Sequence, residues 1–342
     1  MANDFFVRAR SVFLALLVLS APCLAEGPMS RPSEERVKEF RDLKFGMFVC
    51  WSFSTFSDKE WTRGVKDVSF FNPSGMDTDQ WARVAKEAGM NYILFLTKHH
   101  DGFCLWDTKT TAWKVTNSPL GKDVLAAVRK SCDKYGLKLA LYFSEGDWTW
   151  IDPKESPNPE NTKHPAWKRT KNPEMKKAQL KELLTQYGPI EFFWMDHAVG
   201  DGGLSHKETV AFMKQLQPDC FVGFNHGPVA GDLRAGELGE PGSLEDTKGG
   251  GPYAAKDGKG YLAAEFCMPI IGFARWFYTN PGNSDKCMSA EEIYRLYVGA
   301  VEYGNLFSLD VGPDRSGRLR EIDVKTLREV GRLMRNNVAT RP

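Results

Sequence analysis

Residues 187–196 read YGPIEFFWMD, a Gly-Pro turn followed by a short, continuously apolar run that ends on an aspartate. Such a run, without polar alternation, is typical of a strand buried on both faces, as in a parallel sheet. The other segments with this pattern are Phe45–Trp51, Tyr92–Thr97, Lys138–Ser144, Cys220–Asn225, Ala263–Met268 and Asn305–Val311. Together with Ile190–Asp196 they give seven predicted strands.

Helical patterns alternate with these strands, at Asp79–Ala88, Lys122–Tyr135, Pro173–Tyr187, Ser205–Gln215, Ala290–Tyr303 and Glu321–Asn336. Several have terminal signals, such as Asp77 or Thr78 before the first and Gly136 after the second. Strand and helix in alternation predict an α/β protein with a parallel sheet. The chain length favours one (β/α)8-like barrel of the TIM type, regular or imperfect. Two doubly wound domains are disfavoured, because no Gly-rich dinucleotide fingerprint or P-loop follows a strand.

Composition limits the class of partner. The chain has 342 residues, of which 42% are hydrophobic and 26% are charged, as in an ordinary globular protein. Its 45 basic and 44 acidic residues include no basic block, so a nucleic-acid partner is not expected. The cysteines that follow the first 25 residues lack ligand-like spacing, which predicts neither a zinc site nor a disulfide framework.

The first 25 residues resemble a secretory signal. Arg8 and Arg10 precede an apolar run from 12 to 19, and small residues lead to a predicted cleavage after Ala25. A lipoprotein signal through Cys23 is the less favoured alternative, because Pro22 precedes that cysteine. The run is too short to span a bilayer. We therefore expect a signal peptide at 1–25, a single barrel domain at 26–342, no membrane span, and a periplasmic or secreted protein.

Polar and titratable residues follow several predicted strands, which is where the active site of a β/α barrel lies. Asp196, directly after a buried run, has the fixed position that a glycosidase nucleophile needs, although a helix cap or an ion-pair partner would also be placed there. His99 and His100 are adjacent on one strand, so pleating predicts that they point to opposite sides unless the strand bends. A metal site of both with Asp101 is disfavoured relative to sugar binding, because adjacent ligands on a strand converge poorly on one ion.

Five segments together resemble glycoside hydrolase family 29, the α-L-fucosidases, over residues 36 to 338. They are FGMFVCWSFSTFSDKEW (45–61), FLTKHHDGFCLWDTK (95–109), LALYFSEGDW (139–148), YGPIEFFWMD (187–196) and GNLFSLDVGPDRSGRL (304–319). The resemblance implies a β/α barrel that acts as a retaining exo-glycosidase through a covalent glycosyl-enzyme intermediate. It further implies a fucosylated oligosaccharide or polysaccharide as substrate, with no cofactor and no metal.

The same resemblance implies roles for individual residues. Asp196 would be the nucleophile, and Glu265 is the first choice for the general acid/base, with Glu240 and Glu245 as alternatives and Glu237 not excluded. The residues expected to contact the sugar are Glu60, His99, His100, Tyr142 (or Phe143 as the aligned position), Trp194, Arg234 and Trp276.

Two departures from the family pattern stand out. Cys50 occupies the position where the family usually has a histidine, and a thiol is a weak hydrogen-bond partner for a sugar hydroxyl. We therefore expect either a related sugar as substrate or another residue in that role. No C-terminal β-sandwich is expected after the last barrel helix. The alternatives are a glycan-binding barrel with impaired catalysis, a glycosidase for another sugar and, least favoured, a metal hydrolase that uses His99, His100 and Asp101.

Overall fold

The computed structural model describes residues 32–151, 167–226, 231–237, 264–272, 275–278 and 285–338. The predicted signal segment at 1–25, Glu240 and Glu245 lie outside the described residues. In the described part of the chain, every helix is too short or too polar to cross a lipid bilayer.

Eight parallel strands close into a barrel in chain order, with the last strand pairing with the first. The strands are β1 (Phe45–Val49), β2 (Tyr92–Lys98), β3 (Lys138–Ser144), β4 (Phe192–Asp196), β5 (Phe221–Phe224), β6 (Leu233–Glu237), β7 (Ala264–Pro269) and β8 (Leu306–Asp310). The helices are α1 (Glu34–Arg41), α2 (Phe53–Ser57), α3 (Thr78–Glu87), α4 (Val124–Tyr135), α5 (Pro173–Gln186), α6 (His206–Leu216), α7 (Ala290–Val301) and α8 (Glu321–Val338). The predicted barrel is confirmed.

Every predicted strand is present, and β6 is an additional one that the sequence did not reveal. Its sequence, LRAGE, has no apolar run, because only Leu233 and Ala235 of its residues are buried. The connection from β5 to β6 spans only residues 225 to 232, which is shorter than a usual crossover helix. The barrel is therefore imperfect at this point.

Helix α1 closes the end of the barrel at which the amino termini of the strands lie. Phe40 at its C-terminal end is fully buried, stacks on Phe221 with ring centroids 4.2 Å apart, and meets Phe192 edge-on at 5.6 Å. Since Phe192 and Phe221 begin β4 and β5, this contact covers the amino-terminal ends of the strands. The carboxyl ends remain for the loops that form the site.

Several strands are buried over their whole length, which makes the walls of the barrel rigid there. All residues of β1, β2, β4 and β8 are buried. Close packing of this kind leaves little freedom for a side chain at a strand end. A residue such as Asp196, the last of β4, is thus held in a fixed position.

Candidate active site

A cavity of about 350 Å³ opens at the carboxyl ends of the strands, a size within the range of small-molecule sites. Its lining is mainly aromatic and titratable: Phe48, Cys50, Glu60, Trp61, Leu96, His99, His100, Tyr142, Trp194, Asp196, His197, His226, Glu237, Cys267, Trp276 and Phe277. Most of the site residues predicted from the sequence that lie in the described part of the chain therefore line this one cavity.

Asp196 lies in this cavity with both carboxylate oxygens engaged. Its Oδ1 accepts hydrogen bonds from the His197 backbone N–H at 2.7 Å and from Asn225 Nδ2 at 3.0 Å, and its Oδ2 accepts one from the Tyr142 hydroxyl at 2.5 Å. Burial by itself would raise the pKa of Asp196, but nearby His197 and the bonds from Tyr142 and Asn225 outweigh it, so that the pKa is lowered. Asp196 is therefore an anion at neutral pH.

The two carboxylate oxygens of Asp196 differ in the number of hydrogen bonds that they accept. Oδ1 is held by two donors, whereas Oδ2 has one donor and lies 3.7 Å from His100 Nε2 and 4.0 Å from His197 Nε2. A carboxylate oxygen has about two lone-pair sites. Oδ2 thus keeps a lone pair for a reaction in the cavity.

His99 and His100 both line the cavity, which corrects the expectation from strand pleating. The pairing of β2 with β3 is irregular between Leu96 and Lys98, and both histidines follow the end of β2, so strict alternation no longer applies. Their rings lie 3.9 Å apart, and His100 Nδ1 is 2.6 Å from Ser144 Oγ. Burial lowers the pKa of both histidines, to about 3 for His99, so they are neutral and can exchange hydrogen bonds with hydroxyl groups.

Cys50 and Glu60 lie on the β1 side of the cavity. Glu60 accepts hydrogen bonds from the Trp276 backbone N–H at 3.2 and 3.3 Å, and burial raises its pKa to about 7. Cys50 donates its backbone N–H to Asp310 Oδ1 at 3.2 Å, and burial raises the pKa of its thiol, which therefore stays protonated. Glu60 thus holds Trp276 in the wall of the cavity.

Glu265 and Glu237, two candidates for the general acid/base, differ in their position relative to the cavity. Glu265, the second residue of β7, is fully buried, accepts a hydrogen bond from Trp194 Nε1 at 2.8 Å and is not among the cavity-lining residues. Glu237, the last residue of β6, lines the cavity, and its side chain is 29% exposed. Burial and the neighbouring charge of Asp196 raise the pKa of Glu237 to about 8. The structure thus brings Glu237 to the cavity and does not bring Glu265.

Strand alternation separates two further predicted residues from the cavity. Arg234 is not among the residues that line it, because Arg234 and Glu237 are three positions apart on β6 and so face opposite sides. By the same rule Tyr142 of β3 faces the cavity and Phe143 does not. Tyr142 is therefore the residue that meets Asp196.

Sequence reasoning missed His197, Asn225 and His226 as site residues. His197 and His226 have φ of 48° and 59°, a left-handed conformation that is rare for residues other than glycine. Their rings lie 5.0 Å apart, and His226 Nε2 is 3.8 Å from Glu237 Oε2. The position of these histidines after β4 and β5 indicates that they lie near the active site. The left-handed turns that orient their rings towards the cavity cannot be predicted from the sequence.

The histidines and Asp196 also form a group with the donor set of a metal site. Among the described residues, the ligand atoms of His100, Asp196 and His197 lie within 4.8 Å of one another. The disfavoured grouping of His99, His100 and Asp101 is not the one that converges. Asp101 accepts a bond from the Phe103 backbone N–H at 2.9 Å and lines a neighbouring hollow of about 200 Å³.

Comparisons with known proteins find relatives that match most of this chain. Alpha-L-fucosidase 1 of Arabidopsis thaliana is 30% identical over 317 residues, which cover 85% of this chain and 58% of that protein. This chain spans little more than half the length of the first curated relatives it matches.

Two solved structures are similar over 90% of this chain and 77% of theirs. The alpha-L-fucosidase isoenzyme 1 of Paenibacillus thiaminolyticus has a TM-score of 0.72 and 26% identity. The trapped covalent intermediate of a family 29 alpha-L-fucosidase from Bacteroides thetaiotaomicron, in complex with 2-fluoro-fucosyl fluoride, has a TM-score of 0.71 and 25% identity. The sequence model of the family described as alpha-L-fucosidase matches residues 27–339. A match over nearly the whole chain, on a barrel whose cavity holds the motif residues, shows that this protein belongs to the α-L-fucosidase family.

Proposed function

We propose that this chain is a retaining exo-glycosidase that releases terminal α-L-fucose from oligosaccharides or polysaccharides. The observation that carries the proposal is a pair of carboxyl groups in one cavity with opposite protonation at neutral pH. Asp196 has a lowered pKa and is ionised, whereas Glu237 has a pKa of about 8 and keeps its proton. Two titratable groups whose pKa values are driven apart in this way are the pattern of a nucleophile and a general acid.

Asn225 links the two carboxyl groups. Its Nδ2 donates to Asp196 Oδ1 at 3.0 Å, and its side chain is close enough to Glu237 to lower the pKa of that carboxyl group. A side chain that acts on both groups helps to keep them in one arrangement, as pairs of carboxylates that act together require. In retaining glycosidases the two carboxyl groups are separated by about 5–5.5 Å.

In the first step, Asp196 Oδ2 attacks the anomeric carbon while Glu237 donates its proton to the glycosidic oxygen. The bond from the anomeric carbon to that oxygen breaks, and an ester bond to Asp196 forms. The hydroxyl of Tyr142, 2.5 Å from Oδ2, orients the attacking carboxylate. In the second step Glu237, now ionised, takes a proton from water, whose oxygen attacks the anomeric carbon and releases Asp196 with retained configuration.

The cavity has one polar side and one apolar side, as recognition of a deoxy sugar requires. The centroid of the Phe48 ring lies 5.7 Å from that of Tyr142, 6.1 Å from that of Trp276 and 6.4 Å from that of Trp194. These four rings form a continuous apolar wall that is suited to a methyl group. On the polar side, His99 Nδ1 is buried without a hydrogen-bond partner among the described residues. A buried polar atom of this kind gains a partner when a sugar hydroxyl binds.

Export is part of the proposal. The basic and apolar pattern of residues 1–25 supports transfer to the periplasm or to the medium. N-terminal sequencing of the protein recovered from those fractions tests it, with Glu26 as the expected first residue. An intact Met1 start in the soluble cell fraction alone would contradict export.

A panel of nitrophenyl glycosides tests the sugar specificity. We expect release of nitrophenol from the α-L-fucoside, with slower release from the α-L-galactoside, whose extra hydroxyl meets the apolar wall, and none from the β-D-galactoside. NMR of the first product should show α-fucose, the retained anomer. Preference for either galactoside would overturn the assignment of fucose, and a β-anomer would overturn retention.

Cys50 motivates a second candidate, a glycosidase for a related sugar or a glycan-binding protein with impaired catalysis. The thiol lines the cavity where the family usually presents an imidazole. If a fucose hydroxyl meets this thiol, the missing hydrogen bond costs about 1–3 kcal/mol. The Cys50→His variant should then lower KM for the α-L-fucoside by about tenfold, which corresponds to about 1.4 kcal/mol.

Cys50→Ala is the control, because it removes the thiol without adding a donor. Its KM for the fucoside should stay close to that of the unmodified protein. If the histidine variant instead binds fucoside more weakly and another sugar remains the better substrate of the unmodified protein, the cavity is built for that other sugar.

A further inference from the structure

Three potential metal ligands at the carboxyl ends of two strands converge on one side of the cavity. His100 follows β2, whereas Asp196 ends β4 and His197 comes directly after it. Nε2 of His100 is 3.7 Å and Nε2 of His197 is 4.0 Å from the same oxygen, Asp196 Oδ2. All three ligand atoms lie within 4.8 Å of one another.

These separations are close to what one ion requires. Zinc bonds to imidazole nitrogen and carboxylate oxygen are about 2.0–2.2 Å long, so tetrahedral ligand atoms are separated by about 3.4 Å. The imidazoles therefore need to approach Asp196 Oδ2 by about 0.3 Å and 0.6 Å along the two measured distances, and to approach each other by at most about 1.4 Å from a separation of no more than 4.8 Å. Rotation of the two rings can supply movements of this size.

The surroundings orient the donors as a metal site needs. Ser144 Oγ, 2.6 Å from His100 Nδ1, can accept the Nδ1 proton and so leave Nε2 with its lone pair. The carboxylate of Asp196 is fixed through its other oxygen, Oδ1, which accepts hydrogen bonds from the His197 backbone N–H at 2.7 Å and from Asn225 Nδ2 at 3.0 Å. Partners that hold the far side of metal-binding imidazoles and carboxylates are a general feature of metal sites.

We infer that His100, Asp196 and His197 form a reversible inhibitory site for a divalent transition-metal ion such as Zn²⁺ or Cu²⁺. Two imidazoles and one carboxylate suit such ions and are a poor match for Mg²⁺, which prefers oxygen ligands. An ion at this position takes the lone pair of Asp196 Oδ2 and occupies the space of the anomeric carbon. Metal and sugar therefore exclude each other, an inhibition that rests on the proposed function, whereas the binding of the ion does not.

Titration calorimetry of tag-free protein tests the site without using activity. We expect one equivalent of Zn²⁺ to bind, no heat with Mg²⁺, and a rise in Kd of at least about tenfold in His197→Ala, as for loss of a metal-site contact. His206→Asn is the matched control. His206 is a buried histidine that bonds the Ala198 carbonyl at 2.9 Å and does not belong to the cluster, so its replacement should leave Kd unchanged. Zinc binding that is absent, or equally tight in His197→Ala, would overturn the inference.

Two further measurements cover the remaining outcomes. If His197→Ala fails to fold, by circular dichroism, the visible absorption of Co²⁺ bound to the unmodified protein should show a four- or five-coordinate ion, and a spectrum of hydrated Co²⁺ alone would refute the site. Steady-state kinetics should show Zn²⁺ competing with an aryl fucoside. Fucoside hydrolysis that Zn²⁺ does not affect overturns the inference and leaves the proposed function intact. Conversely, Zn²⁺ binding that depends on His197 in a protein that releases no fucose refutes the function and leaves the site intact.

Discussion

Replacing Asp196 by alanine is expected to reduce kcat/KM for an aryl α-L-fucoside by about 10⁴-fold or more, the scale seen when an essential member of a covalent catalytic group is removed. The variant loses Oδ2, the carboxylate oxygen that retains a lone pair and is oriented by Tyr142. It should still bind fucose, because the aromatic wall and His99 are unchanged. The measurement is steady-state kinetics with the fucoside.

Azide makes the Asp196 experiment specific. In Asp196→Ala the anion can enter the space of the lost carboxylate, attack the anomeric carbon from that face and give the β-fucosyl azide, with inverted configuration. Asp310→Asn is a matched control, since Asp310 ends β8 as Asp196 ends β4, is equally buried and does not line the cavity. The control should keep activity within about tenfold, a change of about 1.4 kcal/mol in the barrier, and gain nothing from azide. Rescue of the control, or an active Asp196→Ala without azide, would contradict the assignment.

Replacing Glu237 by glutamine should cost about 10²–10⁴-fold on substrates with poor leaving groups, the usual contribution of a general acid or base. The loss should be much smaller with a dinitrophenyl leaving group, which departs without a proton. Azide should restore turnover by attacking the fucosyl-enzyme, and the product should then be the α-fucosyl azide, with retained configuration. Equal losses on good and poor leaving groups would show that Glu237 does not donate the proton.

The pH dependence of the unmodified protein follows from the same two groups. Glu237 must be protonated to act first as an acid, so kcat/KM should fall as pH rises through about 8, the pKa that burial and Asp196 give it. Asp196 must be ionised, and its lowered pKa keeps it so until the solution is strongly acidic. Glu237→Gln should lose the alkaline fall, whereas Glu265→Gln should keep it. An alkaline fall centred near 7 that disappears in Glu265→Gln would instead favour Glu265, whose pKa is raised by burial to about 7.

The sequence predicts the barrel because most of its strands are buried on both faces. Such strands consist of continuous runs of apolar residues, which can be recognised in a sequence. Strand β6 escaped this rule because Arg234, Gly236 and Glu237 are only partly buried, and the short connection before it leaves no helical pattern. Asp196 could be predicted because it directly follows an apolar run. Glu237 could not be placed in the same way, because the strand that carries it was not recognised.

Glu265, predicted from the sequence as the general acid/base, does not lie at the end of its strand. Catalytic groups of a β/α barrel lie at the carboxyl ends of strands. Asp196 and Glu237 are each the last residue of a strand, whereas Glu265 is the second residue of β7, lies deeper in the barrel and accepts a hydrogen bond from Trp194 Nε1. The depth of a residue along a strand depends on where that strand begins, which propensity defines only to within a few residues.

The most direct test of the central claim, that Asp196 becomes covalently bonded to fucose, is mass spectrometry after incubation with 2-fluoro-fucosyl fluoride. Fluorine at C2 slows both steps by destabilising the cationic transition state, while the fluoride leaving group keeps the first step fast enough for the intermediate to accumulate. We predict one 2-fluorofucosyl group per chain, located on the peptide that contains Asp196, and one equivalent of fluoride released in a burst. A protein that hydrolyses fucosides but acquires the label on another residue, or acquires none, would contradict the account.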